Sequence, residues 1–333
     1  MAVSGAHLSS QAERFEHDTR SHYAVTLRGV KHALLNWQLL STAALSGLLA
    51  TTLLLCYFES IIGDIQGTLF YHLRASHTVL LELKSRSSQQ VDAAMVDFLT
   101  ELYAFIAITA NVTVNFDFAV DREIPMDDLL SSENLVALNR GTSSYGVLFG
   151  SAHKLLGLIV PISQAARRLN SYGSLENRQH KLQAFEAKIW ENCPVMCDGN
   201  PNAEEVAAAI YLQALFVFLY TTFHGASPPT EELYAKVDPH VDRFFELIPS
   251  LWPGSSVVTT LMWPALIVGS CIRDPAQQVL FSNCIKALPI KMGSCDRLQE
   301  VLEHLWGAED RQMYGPYGLE LTMRRKNINI CVT

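Results

Sequence analysis

The chain has 333 residues, of which 49% are hydrophobic, and a formal net charge of −8 at pH 7. This length and composition predict a globular protein with a substantial buried core. The negative charge excludes a protein that binds nucleic acid over its whole surface, because each phosphate contact requires a Lys or Arg. The seven cysteines include no CxxC pair, and several lie in apolar helical runs, so we expect reduced, buried thiols.

The N-terminal part of the chain differs in character from the remainder. Residues 1–37 are polar and mixed in charge, which predicts a flexible segment without a secretory signal. Residues 38–333 are predicted to form one helical domain. The uncharged stretch 36–58 is about long enough to cross a bilayer. Its serines, threonines and glycine favour a buried helix of a soluble protein, with a membrane span as the alternative.

Apolar residues at helical spacing predict a hairpin at the start of the domain. One long helix over 38–62, or two helices with a break near Gly47, is separated by Gly63 and Asp64 from a second helix over 66–85. We expect His72 to face away from the leucine stripe of this second helix, as a surface or capping residue. A third helix follows, with its own apolar stripe of Val91, Met95, Phe98, Leu102, Phe105 and Ile106.

The remaining chain is also predicted to be helical, apart from a loop over 112–142. Helix 204–224 is apolar nearly all round and should lie at the centre of the core. The other predicted helices cover 143–169 (with Pro161 as a kink or break), 174–190, 231–248, 259–273, 275–288, 295–306 and 317–326. This pattern predicts an all-α fold, a single large domain of about ten helices packed as stacked helical hairpins.

The sequence contains no recognisable catalytic, metal or cofactor motif. Cys193 and Cys197 have a spacing that zinc accepts, but no second pair follows, and His72 and His77 are not spaced i, i+4. There is no GxSxG elbow and no phosphate-binding glycine loop. The acidic pairs 204–205 and 231–232 fall in first helical turns, where they oppose the helix dipole. The catalytic residues are therefore unknown, no metal and no cofactor is expected, and an enzyme is the less favoured class.

Several segments, in order and spacing, resemble a known family. They are residues 53–82, 98–113, 185–190, 207–220, 261–275 and 321–332. Together they resemble the C-terminal regulatory domain of fungal zinc-cluster (Zn2Cys6) transcription factors, in the branch called fungal-specific transcription factor domain 2. The residues that match its motifs are Glu59, His72, Leu73 and Ala75 in the first hairpin and Trp263, Pro264, Val268 and Gly269 in the Trp-Pro helix.

The chain departs from the family at the zinc cluster, which carries six cysteines before such a domain. Residues 1–37 contain no cysteine. The resemblance therefore implies a regulatory role without direct sequence-specific DNA binding by this chain. We expect it to act in the nucleus, or alternatively in the cytoplasm. Its expected partners are proteins or a small apolar ligand, and it could also form a homodimer. No association with a membrane is expected.

Three functional hypotheses follow from the resemblance to this family and from the absence of the zinc-cluster cysteines. The first is a transcription-regulator-like protein, with a secondary-metabolite pathway as its setting. The second is that the same scaffold serves as an enzyme of secondary metabolism, such as a shape-driven cyclase, or as an accessory protein. The third is that an upstream exon encodes the zinc cluster. The sequence does not identify the genes that such a regulator would control.

Overall fold

The computed structural model describes residues 2–9, 16–86, 93–110, 152–172, 175–194, 201–250, 260–288, 292–328 and 330–331. These residues form α-helices joined by turns and short 3-10 segments, and no strand occurs among them, so the all-α prediction is confirmed. The helices are α1 Ala2–Ser9, α2 Glu16–Leu35, α3 Thr42–Ile62, α4 Thr68–Arg86, α5 Ala93–Thr109, α6 His153–Leu156, α7 Ile159–Tyr172, α8 Leu175–Glu191, α9 Ala203–His224, α10 Glu231–Leu247, α11 Met262–Gly269, α12 Pro275–Lys286, α13 Gly293–Trp306 and α14 Gly315–Lys326.

The first hairpin consists of α3 and α4, and α5 packs against both helices. Helix α3 begins after Ser41, whose hydroxyl accepts a hydrogen bond from the Ala44 amide, and it continues unbroken through Gly47. It ends at Gly63, which adopts the left-handed conformation (φ 71°) that favours glycine. The Asp64 side chain then accepts the Thr68 amide at 2.6 Å and starts α4. The alternative of two helices divided at Gly47 is therefore wrong.

Helix α9 is the centre of the molecule, as its sequence predicts. It packs against α7, α8, α10, α11 and α14, and nearly all of its residues from Val206 onward are buried. Its N-terminus is closed by a capping box in which Asn202 and Glu205 bond each other's backbone amides. Helices α9 and α10 form a second hairpin, and α13 and α14 form a third.

Within the part of the chain that the structure describes, two helices, α3 and α9, are long and apolar enough to cross a bilayer. In α9, 94% of the most apolar window is buried by the rest of the protein, and in α3 the share is 61%. Core helices have this composition when other helices cover them. The apolar surface of α9 is thus already covered within the fold.

The predicted flexible segment 1–37 contains regular structure where the structure describes it. Helix α1 packs against α2 and α3, and α2 packs against α3. The division of the chain at residue 37 stays a prediction, but α2 is attached to the helical domain. The predicted loop over 112–142 lies outside the described residues.

Candidate functional site

Glu59, a motif residue, lies at the centre of a small cluster of polar side chains. Only 3% of Glu59 is exposed, although it carries a carboxyl group. The Tyr23 hydroxyl on α2 donates a hydrogen bond to Glu59 Oε1, and His72 Nε2 on α4 lies 3.4 Å from the same oxygen. The Tyr23 oxygen is 3.5 Å from His72 Nε2. One carboxyl oxygen therefore joins three helices, and we call these three residues the carboxyl cluster.

The surroundings of the carboxyl cluster are tightly packed. The Tyr23 ring stacks on Phe58 with 4.3 Å between ring centroids. Burial and the neighbouring Glu59 carboxyl raise the pKa of Tyr23, so its hydroxyl keeps its proton and stays a donor. One turn further along α4, Ser76 Oγ lies 2.8 Å from Thr52 Oγ1 on α3. A second polar contact thus fixes the register between these two helices.

The structure places the other first-hairpin motif residues beside this cluster, in different environments. His72 is 8% exposed, so the expectation of a surface or capping histidine is wrong, because the register of the hairpin turns its ring toward Glu59. Leu73 is buried in the core, and Ala75 is partly exposed.

The Trp-Pro motif forms the short helix α11, which packs directly on the central helix. Trp263 is fully buried, with its ring parallel to Tyr211 at 6.3 Å and edge-on to Phe218 at 5.5 Å. Pro264 lies in the first turn, where it removes no intrahelical hydrogen bond. A Cβ atom on Gly269 would lie 2.7 Å from Leu302 Cδ1, so glycine allows α13 to approach closely.

Arg273, which follows α11, connects this part of the chain to α10. Arg273 Nη2 lies 2.5 Å from Asp238 Oδ2, and the guanidinium lies 3.7 Å from the centre of the Tyr234 ring. Just before it, the Ser270 carbonyl accepts the Gly315 amide at 3.0 Å, which joins α14. The two family motifs, the carboxyl cluster and the Trp-Pro helix, therefore both act as junctions where three or more helices meet.

The remaining candidate residues from the sequence are the cysteine pair, the acidic pairs and the C-terminal basic run. Among the described residues, no group of three His, Cys, Asp or Glu side chains could hold a metal ion. Cys193 is exposed, and Cys197 lies outside the described residues. The acidic pairs 204–205 and 231–232 are in the first turns of α9 and α10. In the C-terminal basic run, Arg324 pairs with Glu320 at 2.8 Å and Arg325 with Asp310 at 2.7 Å.

A groove follows the central helix between α8 and α10. Both of these helices run antiparallel to α9: Arg178 and Trp190 of α8 contact Phe223 and Phe216 of α9, respectively. From Val206 to the end of α9, only Gln213, Tyr220 and His224 are not fully buried. The last two line the groove, which has a volume of about 520 Å³.

Gln213, beyond the end of the groove lining, belongs to the same exposed line of α9. Its side-chain oxygen accepts a hydrogen bond from His240 Nδ1 of α10 at 2.8 Å, and the His240 ring stacks on Phe216 at 4.6 Å. Burial lowers the pKa of His240 to about 4, so this imidazole is neutral near pH 7. The neutral ring then packs as an aromatic surface between the two helices.

Sequence reasoning missed both the groove and the third member of the carboxyl cluster. The signal for the groove was present: Gln213, Tyr220 and His224 recur at i, i+7 and i+11 in an otherwise apolar helix, which places them on one face. Tyr23 gave no comparable signal, because it lies in a polar segment 36 residues from Glu59.

A family described as "Fungal specific transcription factor domain" matches residues 1–332. The match begins at residue 1 and so includes the segment 1–37 that carries Tyr23. No curated protein and no solved structure matches the chain.

Proposed function

The chain belongs to the fungal specific transcription factor domain family, and we propose that it regulates transcription by binding a small molecule or a partner protein. The groove between α8 and α10 is the observation that supports binding. It has the size of a small-molecule site, and it places three apolar side chains, Leu182, Phe223 and Leu233, among polar and charged ones. A regulatory domain needs a site of this kind in order to respond to a signal.

We further propose that this chain acts in the nucleus without reading DNA itself. Its net charge of −8 opposes binding to a polyanion. In the basic run at the end of α14, Arg324 and Arg325 are each paired with a carboxylate. A partner protein or a zinc-cluster module encoded upstream would provide the contact with DNA. Control of a secondary-metabolite pathway is the setting that we propose.

Transcript profiling after deletion of the gene tests the proposal. We expect a group of pathway genes to change at least several-fold, and reintroduction of the intact chain to restore them. Sequencing the 5′ end of the transcript in the same strains decides whether a zinc cluster is encoded upstream. Unchanged transcripts in the deletion strain, under conditions in which the gene is expressed, would contradict a regulatory function.

A second candidate function is an enzyme or accessory protein of secondary metabolism, and the carboxyl cluster favours it. A buried carboxyl with a tyrosine and a histidine on one oxygen is a set of proton donors and acceptors. The experiment is to incubate purified protein with extracts of the deletion strain. An enzyme should form a new product that Glu59→Gln abolishes. If no product forms, only the regulatory proposal stands.

A further inference from the structure

The groove between α8 and α10 has an apolar floor and polar walls. Phe223 of α9, Leu182 of α8 and Leu233 of α10 provide the apolar part, and the Phe223 ring contacts the Phe185 ring edge-on at 5.9 Å. The side chains of Gln179 and Gln183 line the α8 wall and are exposed. A ligand in this groove would find apolar surface beneath it and amide groups beside it.

The charged side chains in the groove are paired with groups of the protein itself. Arg178 Nη1 donates to the Phe223 carbonyl at 3.2 Å, at the end of α9. On the α10 wall, Lys236 Nζ lies 3.1 Å from Glu232 Oε1, one helical turn away.

The fourth charged side chain of the groove, Glu186, also has a hydrogen-bond partner. It accepts a hydrogen bond from the Tyr220 hydroxyl, and burial with this neighbouring carboxylate raises the pKa of Tyr220. The groove lining therefore carries two cationic and two anionic side chains, and each has a partner in the protein. A ligand with its own full charge would have to compete with one of these pairs, whereas hydroxyl and carbonyl groups would not.

We propose that this groove binds a neutral, partly apolar organic molecule that carries hydroxyl or carbonyl oxygens. A volume of about 520 Å³ fits a molecule of roughly 20 to 30 non-hydrogen atoms. Its hydrocarbon or aromatic body lies on Phe223, Leu182 and Leu233, and its oxygens bond the glutamine amides. This inference rests on the proposed regulatory function and names the class of signal that the domain receives.

The neutrality of the ligand can be tested with two fluorescent probes that differ by one charge. N-phenyl-1-naphthylamine is neutral, and 8-anilinonaphthalene-1-sulfonate has the same ring system with an added sulfonate. Each is titrated into the purified full-length chain. We expect the neutral probe to bind about tenfold more tightly than the sulfonate. Equal or tighter binding of the sulfonate, or no binding of the neutral probe, would overturn the proposal.

The location of the site is tested by filling the groove from its α8 wall. Gln183→Trp and Gln179→Trp each place a large ring in the groove from an exposed position, whereas Ala184→Trp places one on the same helix outside the groove lining. We expect each groove variant to weaken binding of the neutral probe at least about tenfold, and the control to change it less than about twofold. Unchanged urea unfolding midpoints establish that all three variants are folded.

The outcomes separate this inference from the proposed function. If Gln183→Trp and Gln179→Trp bind the neutral probe like the wild type, the groove is not its site, and the inference fails. Transcript changes in the deletion strain would still support a regulator in that case. If those transcripts do not change but the groove variants lose the probe, the site stands and the regulatory function fails.

Discussion

The buried carboxyl group of Glu59 is held by polar contacts from two other helices. A carboxyl group that is 3% exposed is tolerated in a fold only when donors replace the water that it has lost. Tyr23 and His72 provide these contacts from two different helices. The carboxyl cluster therefore fixes the position of α2 as well as the register of the first hairpin.

Replacing Tyr23 with phenylalanine should loosen this attachment. Tyr23→Phe keeps the ring that stacks on Phe58 but removes the hydroxyl that bonds Glu59. We expect the free energy of unfolding to fall by about 1 to 2 kcal/mol, as for the loss of a hydrogen bond to a buried carboxyl. Urea unfolding measures the change. Tyr71→Phe is the matched control, since Tyr71 is 61% exposed, and an equal loss there would contradict the assigned contact.

His240 should make the stability of the protein depend on pH. Burial lowers its pKa to about 4 from an ordinary value of 6.5. Between these two values the unfolded chain binds a proton that the folded chain does not, so the stability from this group is complete above pH 6.5. It is lost as the pH falls toward 4. We expect a loss of about 2 kcal/mol between pH 7.5 and pH 5.

Urea unfolding at several pH values measures this dependence. His240→Asn keeps a donor toward Gln213 but does not titrate, so it should remove this part of the pH dependence, whatever its effect on stability at pH 7.5. His180→Asn changes an exposed histidine on α8 and should leave the pH dependence intact. A His240→Asn variant with the wild-type pH dependence would show that another group is responsible.

The motif residues could be named from the sequence, but their contacts could not. Glu59 and His72 are 13 residues apart across a turn, and whether they meet depends on the angle at which α3 and α4 pack. Periodicity placed His72 outside the leucine stripe, which is correct for a single helix, but it does not show that another helix covers that face. The same limit applies to Tyr23.

At the scale of elements, two glycines bring the end of α3 and the start of α13 into backbone contact. A Cβ atom on Gly63 would lie 2.7 Å from the carbonyl carbon of Gly293, and a Cβ on Gly293 would lie 2.6 Å from that of Ile62. These obstacles are backbone atoms, so no side-chain rotation can relieve them. The contact joins the N-terminal hairpin to the C-terminal helices.

Adding a single methyl group at this contact should therefore be costly. We expect Gly63→Ala, which also requires a positive φ, and Gly293→Ala each to lower the free energy of unfolding by about 2 kcal/mol or more. Gly47→Ala is the control, because Gly47 lies within α3 with open space around it. Alanine should be neutral there or stabilise the helix by up to about 1 kcal/mol. Thermal and urea unfolding compare the three variants, and equal effects at all three positions would refute the close contact.

Most helices were predictable because their determinants are local. Apolar residues at helical spacing, with Asn202, Thr230 and Asp274 as capping residues, place α9, α10 and α12 within a few positions of their observed ends. The Trp-Pro helix was predicted too long: α11 ends at Gly269, before the Arg273 contact with α10. Such tertiary contacts, like the groove itself, depend on which helices become neighbours, and periodicity within one segment does not encode that.

At the scale of the whole molecule, net charge bears on the proposal that this chain does not bind DNA by itself. The chain has a net charge of −8, which opposes binding to the phosphates of a duplex, and Arg324 and Arg325 are already paired with carboxylates. We expect the purified chain alone to show no sequence-specific binding to promoter DNA of the genes that respond to its deletion. Fluorescence anisotropy at physiological salt measures this. A complex that survives competition by unrelated duplex would contradict it.

We propose above that this helical domain regulates transcription through what it binds and does not itself read DNA. The most direct measurement fuses the whole chain to an unrelated DNA-binding module and records a reporter gene controlled by that module's site. We expect the fusion to change reporter expression several-fold relative to the module alone, and we expect Gln183→Trp in the groove to alter this response while Ala184→Trp does not. Reporter expression equal to that of the module alone, with the fusion present in the nucleus, would contradict the claim.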